Sequence, residues 1–269
     1  MTDITCYASQ EAVEAAAALS DMLSGRAAGR HDDAFFARDW SALWEELGRG
    51  GWLDVGKSLR AGASSSAQFL VDCTALAEAW SERLVPLPFI EHLVGDETIG
   101  DVAASESRLV PFPALLESPS VESVDGFAPS LPIGRVQGLQ SNSAALAAVR
   151  GASAVACAAL TFDGAVDYSR SRVAYDRPIG SYQALKHLMA DMHTQIEMAR
   201  SEVIWACHEQ DRAVELAVDI FRRCRWVIAR CIQIYGGIGY TWEAGVHFYA
   251  RHVMALEKLT QAGLPRDAA

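Results

Sequence analysis

Two segments concentrate the side chains able to hold a charged ligand. Residues 169–192, SRSRVAYDRPIGSYQALKHLMADM, set Arg172, Arg177, Gln183 and Lys186 around a turn marked by Pro178 and Gly180. Guanidinium, ammonium and amide groups grouped this way can bind a phosphate or carboxylate, and in an arbitrary protein they decorate a solvated turn between helices. Residues 232–243, IQIYGGIGYTWE, place Gly236, Gly237 and Gly239 after a long apolar and basic stretch. A dinucleotide fingerprint of the GxGxxG kind needs a strand before it and a third glycine, but here helical text precedes and Trp242 occupies that place. The glycines instead end a helix, and their missing side chains let a ligand approach the backbone.

The elements that must carry these segments are helical. From residue 9 to about 100 the text EAVEAAAALSDML, WSALWEELGRGGWLDV and AQFLVDCTALAEAWSERL repeats apolar residues at three- and four-residue spacing. Gly50-Gly51 ends one helix, and LVPLPFIEHLVGDETIG restarts another after two prolines. Residues 108–140 carry five of the nine prolines with only short apolar pieces, which predicts loop with two or three strands at most. From Ser141 three long helices and a shorter one return, with Leu185, Leu188, Met189, Met192 and Ile196 as one stripe. The expected fold is mostly α. A helical N-terminal domain (1–106) and a reduced middle segment (107–140) precede a C-terminal helical bundle (141–269).

Composition narrows the partners. The 269 residues are 51% hydrophobic and 21% charged, enough for a real core. A net charge of −11 disfavours nucleic acid, whose affinity comes largely from Lys and Arg on phosphates, yet leaves room for one small phosphorylated ligand. No apolar run approaches a membrane span and the first residues lack signal-peptide order, so a cytoplasmic protein without membrane contact is expected. The six cysteines form no CxxC pair and read as reduced core thiols. His187 and His193 are six residues apart, and His247, Arg251 and His252 lie near one helical face; no metal site is expected. The seven tryptophans read as core or interface anchors, and Arg222, Arg223, Arg225 and Arg230 as a salt-bridged helix face or a subunit contact.

The segment from Arg172 to Met192 resembles the R-x-x-F-G-x-x-[IL]-x-x-[FH]-Q…LADM motif of the acyl-CoA dehydrogenase family, and Gln233 to Thr241 resembles its Q-x-x-G-G-x-G-[YF]-[TN] motif. LWEELGRGGWLDV and ALAEAWSERLVPLPFIEHLVG are similar to the family's N-terminal helices, so the resemblance spans most of the chain. It implies contacts to the ADP half of an FAD shared with a neighbouring subunit, from Arg172, Gln183, Gln233, Gly236 and Gly237, with Arg172 on the pyrophosphate. The chain departs from the family at three places. The family's middle β-barrel, which holds the flavin ring and part of the acyl-CoA, is reduced here to residues 107–140. Tyr175 and Asp176 stand at the motif's F-G. The carboxylate base falls by residue counting at Thr260, or near Leu146 in other members, leaving Glu257 as a weak fallback and no assigned catalytic residue.

The resemblance therefore implies a non-catalytic subunit of an α2β2-type, FAD-dependent acyl-CoA dehydrogenase acting on a bulky acyl-CoA. A homologous full-length partner subunit would hold the acyl-CoA substrate, and the bundle would also self-associate. Two alternatives stand beside it: a flavin-free structural or binding module, and a homo-oligomer performing non-redox acyl-thioester chemistry.

Overall fold

Ser9 opens the first element by accepting the Ala12 N–H on its hydroxyl, the usual role of a serine N-cap. The computed structural model describes residues 7–27, 31–94, 107–111, 122–124, 128–131, 133–137 and 143–262. Helix α1 (Gln10–Arg26) buries Ala12, Ala16, Leu19 and Leu23, a stripe at helical spacing. The short α2 (Asp33–Phe36) and α3 (Ser41–Arg49) follow, and α3 ends at Gly50, with Gly51 in the left-handed region at φ 77°. Helix α4 (Val55–Gly62) crosses α6 (Phe89–Val94) so closely that a Cβ on Gly56 would strike the Leu93 carbonyl. Between them in sequence, α5 (Ser66–Ser81) is buried along nearly its whole length and packs on both α1 and the bundle. Its Asp72 accepts the Ser9 N–H (2.7 Å), the Ser9 hydroxyl (3.0 Å) and the Gln68 amide (2.9 Å), which ties the α1 cap to α5 and satisfies a carboxylate only 2% exposed.

Three short strands follow: β1 (Ser107–Pro111), β2 (Glu122–Val124) and β3 (Ile133–Gln137). They pair antiparallel in the order β1-β3-β2, with Leu109 opposite Arg135 and Ser123 opposite Gly134.

The bundle begins with α7 (Ser143–Ser171). The hairpin of β4 (Val173–Ala174) and β5 (Arg177–Pro178) leads into α8 (Gln183–His208), then come α9 (Ala213–Tyr235), a 3-10 turn (Gly236–Tyr240) and α10 (Val246–Ala262). Contrary to the expectation that no apolar run approaches a membrane span, length and composition alone would let α7 cross one, but 83% of its most apolar stretch is buried among α5, α8, α9 and α10, so it is the central core helix. Alanines line it, and Gly151 lets Ile220 of α9 come within 3.3 Å of where a Cβ would sit. Helix α7 stops at Ser171, because residues 173–178 fold back as a hairpin. On α9, Leu216, Ala217, Ile220, Cys224, Val227, Ile228 and Cys231 face inward. The five described cysteines are all free and buried, and burial pushes each thiol up, to about 12 for Cys207 and Cys231.

Candidate functional site at one end of the bundle

Helices α7, α8 and α9 run alternately in opposite directions, so the end of α7, the start of α8 and the end of α9 share one end of the bundle. Tyr168 of α7 lies with its ring centroid 4.9 Å from that of Tyr235, and the Tyr235 hydroxyl fills a notch left by Gly164, where a Cβ would come within 2.7 Å. Across α8 and α9, Arg223 donates to Gln195 at 2.6 Å and to Glu202. Twelve residues back along α8 and twelve forward along α9, at equal rise per residue, Gln183 comes level with Tyr235 and Gly236. The two chemically capable segments, some fifty residues apart in sequence, thus lie at the same end of the bundle.

The backbone of Arg172 is fixed: its N–H donates to the Tyr168 carbonyl and its own carbonyl accepts the Ile179 N–H, both at 2.8 Å. Its guanidinium is exposed and has no ion-pair partner among the described residues. Tyr175 (φ 51°) and Asp176 (φ 64°) form the two-residue turn between β4 and β5, both in the left-handed region that a tight hairpin requires. The Asp176 carboxylate is thereby held at the exposed tip of the hairpin. The Arg177 guanidinium stacks 3.9 Å from the centre of the Tyr182 ring, whose hydroxyl donates to the Ala174 carbonyl at 3.0 Å. Tyr182 precedes α8 and supplies no side-chain cap. The Leu185 and Lys186 N–H groups bond its carbonyl, and those of Gln183 and Ala184 have no backbone acceptor among the described residues. Such an N-terminus favours an anion.

At the end of α9, Gly236 adopts φ 63° and ψ −136°, a conformation for glycine alone, and its N–H closes the helix on Ile232 and Gln233 carbonyls. Around Gly236 and Gly237 a Cβ would meet nothing within 4 Å, so this backbone faces open space. Gly239 differs: it is buried, and a Cβ there would lie 2.5 Å from the Ile232 carbonyl oxygen and 2.9 Å from the Tyr235 Cβ. The glycine run is therefore both a helix end and an exposed ledge, with a different glycine serving each purpose. Gln233 is exposed, and its amide oxygen accepts from Arg230 at 3.2 Å, which leaves the amide NH2 for a ligand. Large apolar side chains gather at this end with much of their surface uncovered: Val173 (56% exposed), Tyr175 (92%), Ile238 (45%), Tyr240 (78%) and Trp242 (51%).

The positions weighed for a catalytic base lie elsewhere and are closed. Leu146 and Thr260 are buried, and the Thr260 hydroxyl turns back to the Leu256 carbonyl at 2.9 Å. Glu257 is buried against Arg225, with Oε2 to Nε 3.2 Å, and its other oxygen accepts from Gln261. The remaining arginines of α9 behave as a salt-bridged face, Arg222 with Asp219 and Arg223 with Glu202, while Arg230 lies over the Trp226 ring. Trp40 and Trp80 are core residues; Trp205 and Trp242 are half exposed. His247 packs against Trp242 and Phe248. The buried His252, by contrast, holds Ser130 through Nδ1 at 2.9 Å while Nε2 has no partner, and burial pulls its pKa down to about 4. This link from the middle segment to α10 carried no sequence signal, since the spacing shows a helical face but not what covers it. No group of three or more His, Cys, Asp or Glu is arranged for a metal among the described residues. A cavity of about 340 Å3 between α1, α4 and α5 is lined by Glu11 and Asp72 and by no cation, so it is unsuited to a phosphate.

Residues 137–259 match the family described as acyl-CoA dehydrogenase, C-terminal domain. Among curated relatives, the acyl-CoA dehydrogenase IpdE2 of Mycobacterium tuberculosis is 38% identical over 124 residues, covering 45% of this chain and 37% of that protein. The short-chain specific acyl-CoA dehydrogenase of Megasphaera elsdenii is 36% identical over 120 residues, 41% of this chain and 30% of its own length. The matched part thus spans well under half of either relative. Among solved structures, a variant of the Tcur3481-Tcur3483 steroid ACAD superposes with a TM-score of 0.72 over 94% of both chains at 16% identity. The ChsE4-ChsE5 complex from Mycobacterium tuberculosis gives 0.65 over 96% of this chain and 95% of that one at 17% identity. The fold is similar to that of acyl-CoA dehydrogenases along nearly the whole chain, and the part of the bundle that carries both motifs, residues 137–259, matches the C-terminal domain of that family.

Proposed function

We propose that this chain is a non-catalytic subunit of an FAD-dependent acyl-CoA dehydrogenase, and that it completes the nucleotide half of a cofactor site whose flavin half belongs to a homologous full-length partner. One observation carries the reading: the end of the bundle joins an unpaired Arg172, an uncapped helix start at Gln183 and the open backbone of Gly236 and Gly237 to five uncovered apolar side chains. The residues present fit an ADP moiety. Arg172 offers a charge-assisted bond to a phosphate, the Gln183 and Ala184 N–H groups offer neutral ones, and the amide NH2 of Gln233 points to a hydroxyl or ring nitrogen as partner. FAD, when bound, supplies the hydride acceptor. This chain's own residues position its nucleotide end and shield it from water.

The absence of a carboxylate at positions 146 and 260, and the engagement of Glu257 by Arg225, support a partner that owns the base. Two of the similar structures bear paired names, the ChsE4-ChsE5 complex and the Tcur3481-Tcur3483 steroid ACAD, which supports a heteromeric assembly and a bulky acyl group. The test is co-expression with a longer homologue encoded nearby. A yellow complex in which the partner carries the base is expected, with a colourless product from this chain alone. Flavin near one per chain in the isolated protein would overturn the reading.

A further inference from the structure

Resting on the reading of this bundle end as a nucleotide site, we infer that Arg177 is a second cation for the same phosphate group and that Tyr182 is the residue that positions it. In the β4–β5 hairpin, Val173 pairs with Pro178 and Ala174 with Arg177, and the Ile179 N–H bonds the Arg172 carbonyl. Residues opposite one another on antiparallel strands share a face and neighbours along a strand alternate, so Arg172, Ala174, Arg177 and Ile179 stand on one face of the hairpin. Both arginines are exposed, and neither has a carboxylate partner among the described residues. That sets them apart from Arg170, Arg212, Arg222, Arg223 and Arg225, each of which is ion-paired.

A long side chain at a solvent-exposed hairpin normally samples many rotamers, and ordering it on a ligand opposes binding. Here the ordering is already done. The Tyr182 ring lies under the Arg177 guanidinium at 3.9 Å, and its hydroxyl is anchored on the Ala174 carbonyl, so ring and guanidinium move with the hairpin. Stacking uses the flat face of the guanidinium and leaves its N–H edge for an oxygen ligand. Because Tyr182 is also the residue before α8, the guanidinium rests against the element whose Gln183 and Ala184 N–H groups lack backbone acceptors. The ligand class is a diphosphate, whose two negative groups match two guanidinium groups on one face. The second cation also offsets Asp176, the carboxylate at the hairpin tip.

Calorimetric titration of the full chain with ADP at low salt tests this, using Arg177→Ala, Arg172→Ala, Tyr182→Phe, Tyr182→Leu and, as control, Arg170→Ala. The expected result is a three- to tenfold loss of ADP affinity for Arg177→Ala, a comparable loss for Tyr182→Leu, near-retention for Tyr182→Phe, which keeps the ring, and no change for Arg170→Ala. Adenosine, lacking the phosphates, should bind equally weakly to the wild type and Arg177→Ala. If Arg172→Ala weakens ADP binding while Arg177→Ala does not, the role of Arg177 is overturned and the nucleotide site stands. If Tyr182→Leu binds as the wild type does, the positioning role is overturned. If ADP shows no saturable binding to the wild type, or Arg172→Ala changes nothing, the reading of the site falls and the role of Arg177 with it.

Discussion

His252 is neutral in the fold, since its interior position pulls its pKa from an ordinary 6.5 to about 4, whereas the unfolded chain protonates it near 6.5. Between those values the unfolded state binds the extra proton, so stability is full above about pH 6.5 and falls as the pH drops toward 4. The loss on going from pH 7.5 to pH 5 is about 2 kcal/mol from this one group, read from urea midpoints. In His252→Leu that pH-dependent part should disappear, leaving a smaller slope in the same direction from His31, whose pKa burial also lowers. Arg172→Ala in the complex with a flavin-binding partner should weaken FAD retention roughly ten- to a hundredfold, the effect of one lost charge-assisted phosphate contact, measured by flavin release on dilution. Glu257→Gln should leave turnover nearly unchanged and cost about 1 kcal/mol of stability, because the facing Arg225 is 43% exposed and solvent screens the pair. Loss of acyl-CoA oxidation with flavin still bound would instead make Glu257 the base.

At the scale of elements, the glycine run separates two kinds of constraint. Gly239→Ala drives a methyl group into the last turn of α9 and should destabilise the fold by about 1–3 kcal/mol in denaturant melts. Gly237→Ala meets open space and should leave the melt within about 0.5 kcal/mol of wild type while impairing cofactor retention in the complex. The reverse pattern would mean that the exposed backbone is not a binding ledge. The long helices were legible because their apolar stripes persist over several turns, and the glycines marked the end of α9 because only glycine takes φ 63° together with ψ −136°. The hairpin at 173–178 was not legible: its strands are two residues long, and its turn uses Tyr175 and Asp176 where Asn and Gly would have announced it. Helices α2 and α4 are too short to show a period, and α4 exists through its packing on α5 and α6.

For the whole molecule, the candidate residues could be picked from the sequence through the motif order, but their sharing one end of the bundle could not, since the level of Gln183 against Gly236 depends on how α8 and α9 register through Arg223, Gln195 and Glu202. The uncovered Met198, Trp205 and Val218 on α8 and α9, together with the apolar side chains at the bundle end, predict that the chain does not persist as a 29 kDa monomer at micromolar concentration. Sedimentation velocity as a single monomeric species would count against this. The notch at Gly164 gives the molecule a remote control on the exposed glycine ledge. Tyr235 is the last residue of α9 and its hydroxyl seats on α7 where a side chain is missing, so a methyl group at position 164 acts as a wedge. It would push the tyrosine outward and tilt the glycine ledge while leaving every exposed atom of that ledge chemically intact. Gly164→Ala is thus a geometric dial: it would change the shape of the site through the spine of the bundle, two turns of helix before Arg172 is reached.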